Sequence, residues 1–203
     1  MAVGRGLLRG AAVLLAAVLA AGCGAFPENV FLAEGFASPG TPYGEALLRN
    51  TRQAELYEGF DTVAKLWGTW KNDEVRSALT ESSVRAYRLE GAEAEALREE
   101  QRAAAANARE FHLSLYSPKK QWNDLDSPTT LWRLYLELPD GRRFTPVQVV
   151  YLPKSDKNPV EYPYVSRWTR EYSVLFPLLG ERETQAHLTL LLTGPLGNMK
   201  LKF

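Results

Sequence analysis

From Glu110 onward, apolar and polar residues alternate with a period of two, as in a strand with one buried face. Phe111, Leu113 and Leu115 fall on one side of the first such segment, with His112, Ser114 and Tyr116 on the other. Trp132, Leu134, Leu136 and Leu138 then alternate with Arg133, Tyr135 and Glu137. Asp140-Gly141 is a hairpin-turn signal. Residues 144–152 are apolar on both faces, the pattern of a central strand. Trp168, Arg170, Tyr172, Val174 and Phe176 share one face of a further strand, and Leu188, Leu190 and Leu192 one face of the next. Gly194-Pro195-Leu196-Gly197 reads as a turn, after which residues 198–203 pair back. Strands at this spacing, joined by turns, predict an antiparallel β-sandwich over residues 109–203.

Upstream the period changes. Residues 45–56 lack Gly and Pro and carry Glu45 and Arg49 at helical spacing, which predicts a short helix. Residues 57–70 fit either period, but their β-branched and aromatic content and two glycines favour a strand. Asn72 is a helix N-cap followed by Asp73 and Glu74, which suit the positive end of a helix dipole. From Val75 to Ala108 there is no proline and one glycine, Gly91, so the pattern predicts one helix bent there or two helices meeting there. Val75, Leu79, Ala86 and Leu89 are candidates for its buried side. The part from Glu93 to Arg109 is charged nearly all round, as an exposed helix is. The class is therefore α+β: about seven strands with a long helix or helix pair inserted after the first.

The chain opens with Arg5 and Arg9, an apolar run over residues 10–21, and then small residues. This is the layout of a secretory signal, and the run is short for a bilayer span. Leu19-Ala20-Ala21-Gly22-Cys23 resembles the lipobox of bacterial lipoproteins, although Ala20 stands where leucine is usual. The resemblance implies cleavage before Cys23 and acylation of that residue, with the lipid bilayer as a partner. Cys23 is the only cysteine of the 203 residues, so no internal disulfide is possible. Gly24, in place of an aspartate, tilts the expected address toward the outer membrane, facing the periplasm. The expected organisation is thus a signal peptide (1–22), a lipidated Pro- and Gly-rich flexible tether (23–44), a segment of short helix, first strand and long helix (45–108), and the sandwich (109–203). Phe26, Val30, Phe31, Leu32 and Phe36 are more apolar than a bland tether needs, and suit either a membrane interface or packing on the domain.

Trp132, Pro146, Pro163-Tyr164, Trp168, Tyr172, Phe176-Pro177 and the closing 197–203 strand together resemble the immunoglobulin-like domains of envelope lipoproteins with no assigned activity. The resemblance implies a fold and no chemistry. The two core cysteines of true immunoglobulin domains are absent.

With 24 basic and 24 acidic residues, and both arginines of residues 1–22 lost on cleavage, the mature chain is slightly acidic and offers no field for nucleic acid. His112 and His187 could form a metal site with Asp61, Glu137 or Glu171, but no short His-x-His or Cys-x-x-Cys unit calls for one; two half-exposed strand histidines are the plainer expectation. No Gly-x-Ser-x-Gly elbow and no phosphate-cradling loop occurs. The expectation is a protein that is not an enzyme and has no cofactor. Trp132 and Trp168 head apolar strand faces and are expected in the core. Trp122, in a polar loop, is the best contact candidate, followed by Tyr162 and Tyr164 in the loop 154–164. These readings favour a membrane-anchored scaffold that docks an envelope protein. A glycan- or peptide-binding module comes second and a hydrolase last.

Overall fold

The structure, a computed structural model, describes residues 36–178, 180 and 187–203. The expected signal segment, Cys23 and most of the expected tether lie outside the described residues. Helix α1 (Pro42–Asn50) leads into the hairpin β1 (Thr51–Glu58) and β2 (Asp61–Trp70). Helices α2 (Asp73–Tyr87) and α3 (Gly91–Asn107) follow, then β3 (Arg109–Tyr116), β4 (Arg133–Glu137), β5 (Arg143–Phe144), β6 (Gln148–Leu152), the single turn α4 (Asn158–Glu161), β7 (Arg170–Phe176), β8 (Thr189–Gly194) and β9 (Gly197–Lys202). All strand pairs are antiparallel, in two sheets ordered β1-β2-β3-β7-β6 and β5-β4-β8-β9. The class is α+β, with nine strands among the described residues rather than about seven.

The two sheets share one apolar core. Leu66, Phe111, Leu113, Tyr172 and Phe176 from the first meet Trp132, Leu136, Leu190, Leu192 and Leu201 from the second and its approach. The Phe111 ring stands edge-on to Phe176 at 5.8 Å and beside Phe203 at 5.3 Å. Gly68 marks the closest approach, since a Cβ there would lie 2.6 Å from Leu201 Cδ1.

Three expectations need correction. The helix expected over 45–56 ends at Asn50, because the Thr51 hydroxyl is drawn to Thr69 across the β1–β2 pair, 2.7 Å away. The β1–β2 pairing wins although Arg52, Gln53, Ala54, Glu55 and Leu56 are all good helix formers, so tertiary pairing overrides local propensity here. The run 144–152 is not a central strand. It is cut by Pro146, which lacks an N–H, and its halves become edge strands of different sheets. Trp168 is not core: it is 66% exposed, because β7 begins only at Arg170 and residues 166–169 form a turn in which Thr169 N–H donates to the Ser166 carbonyl. Trp132, by contrast, is buried.

The helical segment divides at Gly91 into two helices. Asn72 caps α2 by accepting from Val75 N–H at 3.0 Å, and Arg88, with φ +53°, ends it. Of the apolar residues expected on its buried side, Val75 is buried while Leu79 and Leu89 are half-buried and Ala86 is exposed. The last residues of the expected tether pack on the domain: Ala37 is buried, and the Phe36 ring stands edge-on to Tyr43 at 5.5 Å. Thr41 caps α1 by accepting from Gly44 N–H, and the chain folds back so closely that a Cβ on Gly44 would sit 2.0 Å from the Ser38 carbonyl oxygen. Gly44→Ala is therefore expected to lower the unfolding free energy by about 1–3 kcal/mol. Urea denaturation would check this, with an unchanged midpoint contradicting the close approach.

Candidate functional site

The outer face of the five-stranded sheet should carry β3's polar set, and it does. Around Thr69, His112 and Glu171 that face is not wet, however, because α1 and the loop 158–165 lie over it, while α1 is tied to the start of α2. Asn50 Nδ2 donates to Glu74 Oε2 at 2.8 Å, Asn72 Nδ2 donates to Asn50 Oδ1 at 2.7 Å, and the Tyr43 hydroxyl donates to the Glu161 carbonyl at 2.9 Å. Most polar strand residues beneath this cover find partners within the protein, although Ser114 Oγ on β3 is buried without a hydrogen-bond partner among the described residues.

They form a chain. His112 Nε2 lies 3.2 Å from Glu171 Oε2, and Nδ1 lies 2.9 Å from the Tyr164 hydroxyl. That hydroxyl lies 2.7 Å from Thr69 Oγ1, which lies 2.7 Å from Thr51 Oγ1. One donor order satisfies every member. Nε2–H donates to the Glu171 carboxylate, so Nδ1 accepts from Tyr164, Tyr164 from Thr69, and Thr69 from Thr51. The Tyr162 ring stacks on the imidazole at 3.6 Å and 4°. Burial holds the His112 imidazole below its ordinary pKa although Glu171 pulls the other way, so the neutral ring is the form this order needs. Burial also pushes the hydroxyls of Tyr43, Tyr162 and Tyr164 well above the ordinary phenol value.

A charged node adjoins the chain. Glu110 accepts from Lys71 Nζ at 2.8 Å, Arg76 Nη2 at 2.7 Å and Ser173 Oγ at 2.9 Å. Burial alone would raise its carboxyl, but the Lys71 and Arg76 charges outweigh this and hold it low.

His112, Tyr164 and Glu171 are types that do acid–base work, but here each is enclosed. A cavity of about 220 Å³ lined by Lys71, Thr80, Gln101, Lys157, Glu161 and Tyr162 comes nearest, and none of the three lines it. Tyr162 and Tyr164, expected as surface contacts, are therefore buried partners of a histidine, and His112 itself is 3% exposed rather than half-exposed. Glu171 does meet His112, whereas His187 is exposed before β8. Among the described residues no group of three or more His, Cys, Asp or Glu side chains could hold a metal. Thr51 and Thr69 were not singled out from sequence. Their signal is weak: polar positions that face each other only once the β1–β2 register is known.

Among the described residues, two solvent-facing places bear on contact with a partner. A groove of about 570 Å³ runs between α2 and α3, lined by Arg76, Thr80, Glu81, Arg98, Gln101 and Arg102 among others. Arg98 spans it with a two-pronged pair to Glu81, Nε at 2.7 Å and Nη2 at 3.1 Å. The second is the loop after β3. Trp122 is partly exposed, with Lys119 Nζ 4.1 Å above its ring, and its carbonyl accepts from Trp132 Nε1 at 2.7 Å, which ties the loop to the core.

No protein-family model and no curated protein matches the chain. A solved structure of a protein of unknown function from Burkholderia pseudomallei is similar over 79% of this chain and 81% of its own, at 9% identity and a TM-score of 0.39. At that score the likeness carries no argument.

Two outcomes are expected from the buried chain. Tyr164→Phe strips partners from His112 and Thr69 and should cost about 1–3 kcal/mol in denaturant unfolding. A cost near zero would mean that the hydroxyl is not what holds them. The pH effect has a definite sign. With the folded imidazole pKa below the unfolded one, the unfolded chain binds more protons as pH falls below about 6.5. His112's contribution is therefore present above that pH and lost below it, down to the folded value. Thermal unfolding from pH 7.5 to 5 should show this decline, and His112→Gln should flatten it.

Proposed function

We propose that this chain is an acylated lipoprotein of the bacterial cell envelope whose domain is a non-enzymatic scaffold or binding protein. The anchor reading rests on Leu19-Ala20-Ala21-Gly22-Cys23 after a short apolar run, and on Cys23 as the sole cysteine. Gly24 favours the outer membrane, periplasmic face.

The observation that carries the docking reading is helix α3. Seventeen residues long, it has Ala94 as its buried residue. Its partners are charges: Arg98 to Glu81 on α2, and Arg102 to Glu95 at 2.6 Å and Glu99 at 2.5 Å along α3. A polar helix that adds so little to the core has its outward face free for a partner protein. A second reading, glycan or peptide binding, draws on the partly exposed Trp122; Tyr162 and Tyr164 drop out of it because they are buried.

We also infer an immunoglobulin-like sandwich. The order β2-β3-β7-β6 opposite β5-β4-β8-β9 matches the A-B-E-D and C′-C-F-G sheets of that fold, with β1 as an added edge strand. Trp132, buried at the approach to β4, stands where such domains keep a core tryptophan. Leu113 on β3 and Leu190 on β8 fill the core between the sheets without a disulfide.

Cross-linking in intact cells tests the scaffold reading. A reproducible partner is expected with the native chain and should be lost with Arg98→Glu/Arg102→Glu. A partner that persists after charge reversal would remove α3 from the contact. Cys23→Ala should release the protein from the membrane fraction; retention there would count against the anchor.

A further inference from the structure

Strand register brings three connections to one end of the sandwich. The β1–β2 hairpin turns there at Gly59-Phe60, β3 leaves there into the loop 117–132, and the loop 153–169 returns there to β7. The pairs Lys65↔Tyr116, Leu115↔Arg170 and Leu152↔Glu171 fix this. Side chains join the loops to the sheet: Ser117 Oγ donates to the Val63 carbonyl at 2.9 Å, and Arg170 Nη1 to the Asn123 carbonyl at 2.8 Å.

This end is aromatic. Among the described residues four aromatic rings are exposed, Tyr57, Phe60, Tyr87 and Trp168, and all but Tyr87 stand here. Phe60 is wholly exposed at a hairpin tip, where it adds nothing to the core. Trp122, partly exposed, joins them from the loop 117–132. Strand β2, which leads from Phe60, and β7, which follows Trp168, are two strand spacings apart, about 10 Å. Each tryptophan carries a cation, with Lys119 Nζ 4.1 Å above Trp122 and the Arg167 guanidinium 4.9 Å above Trp168. Lys120 and Lys154 lie on the same two loops, and Glu58, Asp61, Asp124 and Asp156 on these loops or beside the hairpin turn, so the connections carry cations and carboxylates in roughly equal number.

We propose that this end of the sandwich rests in a lipid surface, with Phe60, Trp168 and Trp122 entering the interfacial zone and Lys119 and Arg167 reaching back to the headgroups. Amphipathic rings paired with long-stemmed cations are the side chains that zone takes. The proposal rests on the anchored-lipoprotein reading, and the chain itself supplies the reason for choosing lipid. Thirteen residue steps separate Cys23 from Phe36, a reach of about 45 Å when extended. Phe36 packs on Tyr43, whose hydroxyl holds the Glu161 carbonyl, and Glu161 lies on the loop that carries Trp168. The tether thus joins the domain toward the Thr69 end of β2, since Tyr162 beside Glu161 stacks on His112, which pairs with Thr69. Its reach exceeds the length of that ten-residue strand, about 33 Å, so the aromatic end still lies within reach of the anchor. An anchor within that reach keeps the rings at high local concentration to the bilayer, so weak insertion suffices. With balanced charge, insertion depends on the rings rather than on anionic lipid.

The test uses the full chain as the cell processes it, reconstituted in vesicles of phosphatidylethanolamine and phosphatidylglycerol with acyl chains brominated near the headgroup. Tryptophan emission should be quenched. Phe60→Ser, which removes no fluorophore and no core contact, should weaken the quenching about threefold, and about 0.5 M salt should leave it in place. Quenching that is absent, or unchanged by Phe60→Ser together with Trp168→Phe, overturns the proposal. So does protection of these rings by added polysaccharide or by a bound protein instead of by lipid. Mass measurement of Cys23 separates the two readings. An acylated chain without quenching keeps the anchor and loses the membrane-facing end. If Cys23 carries no acyl group the anchor reading fails, and co-sedimentation of the released chain with the same vesicles then upholds this proposal or, if absent, overturns it.

Discussion

Where a sheet is covered on both faces a polar residue has no side on which to meet water, and much of this structure follows from that constraint. The five-stranded sheet packs its inner face on the second sheet, and around Thr69, His112 and Glu171 its outer face lies beneath α1 and the 158–165 loop. Burying an unpaired polar group costs about 1–3 kcal/mol. Thr51, Thr69, Tyr164, His112 and Glu171 therefore settle into one ordered series, with the Tyr162 ring laid flat on the imidazole, while Ser114 Oγ stays buried without a partner among the described residues. This series also fixes the positions of other parts. It places the loop that carries Tyr162 and Tyr164, and through Tyr43 and Glu161 it sets where α1 enters. The three hydroxyls and one imidazole act as a joint between the helices and the sheet.

The inner face was legible from sequence and the outer face was not. Phe111, Leu113 and Leu115 alternate cleanly, and their core role follows from period alone. His112 and Ser114 alternate just as cleanly, but period says only that they face the other way and not whether water is there. Part of what covers His112 comes from Tyr162 and Tyr164, some 50 positions downstream in the chain, which no local pattern connects. Trp168 failed for a related reason: one more apolar residue in phase with a strand is no evidence that the strand has begun, and the Ser166–Thr169 turn overrides it. The helix ends were better marked, because Asn72 and Gly91 act through local chemistry that the sequence carries. Of the proposed contact residues, Trp122 keeps a partly open position, since its own carbonyl is held by Trp132 Nε1 while its ring is left outside.

The surface divides its roles. The α2–α3 layer is held by ion pairs that are mostly solvent-facing, each contributing little to stability. Such a layer tolerates change in sequence as long as the Glu110 node beneath it keeps Arg76 and Lys71 in place. The aromatic end is its opposite in chemistry, with large rings on turns that the core does not need.

The two long seams of the sandwich are unlike each other. On one, Arg52 Nε donates to the Lys202 carbonyl at 2.7 Å, its guanidinium lies 5.6 Å from the Phe203 ring, and Leu56 comes so close to Gly197 that a Cβ there would meet its Cδ1 at 2.8 Å. On the other, the chain merely steps from β5 to β6 through Thr145, Pro146 and Val147. A tug on the domain would therefore meet a spine and a fore-edge. The sheets would part first where β5, two residues long, faces β6, and would stay bound longest along Arg52, so the direction of pulling would decide how much force the fold withstands.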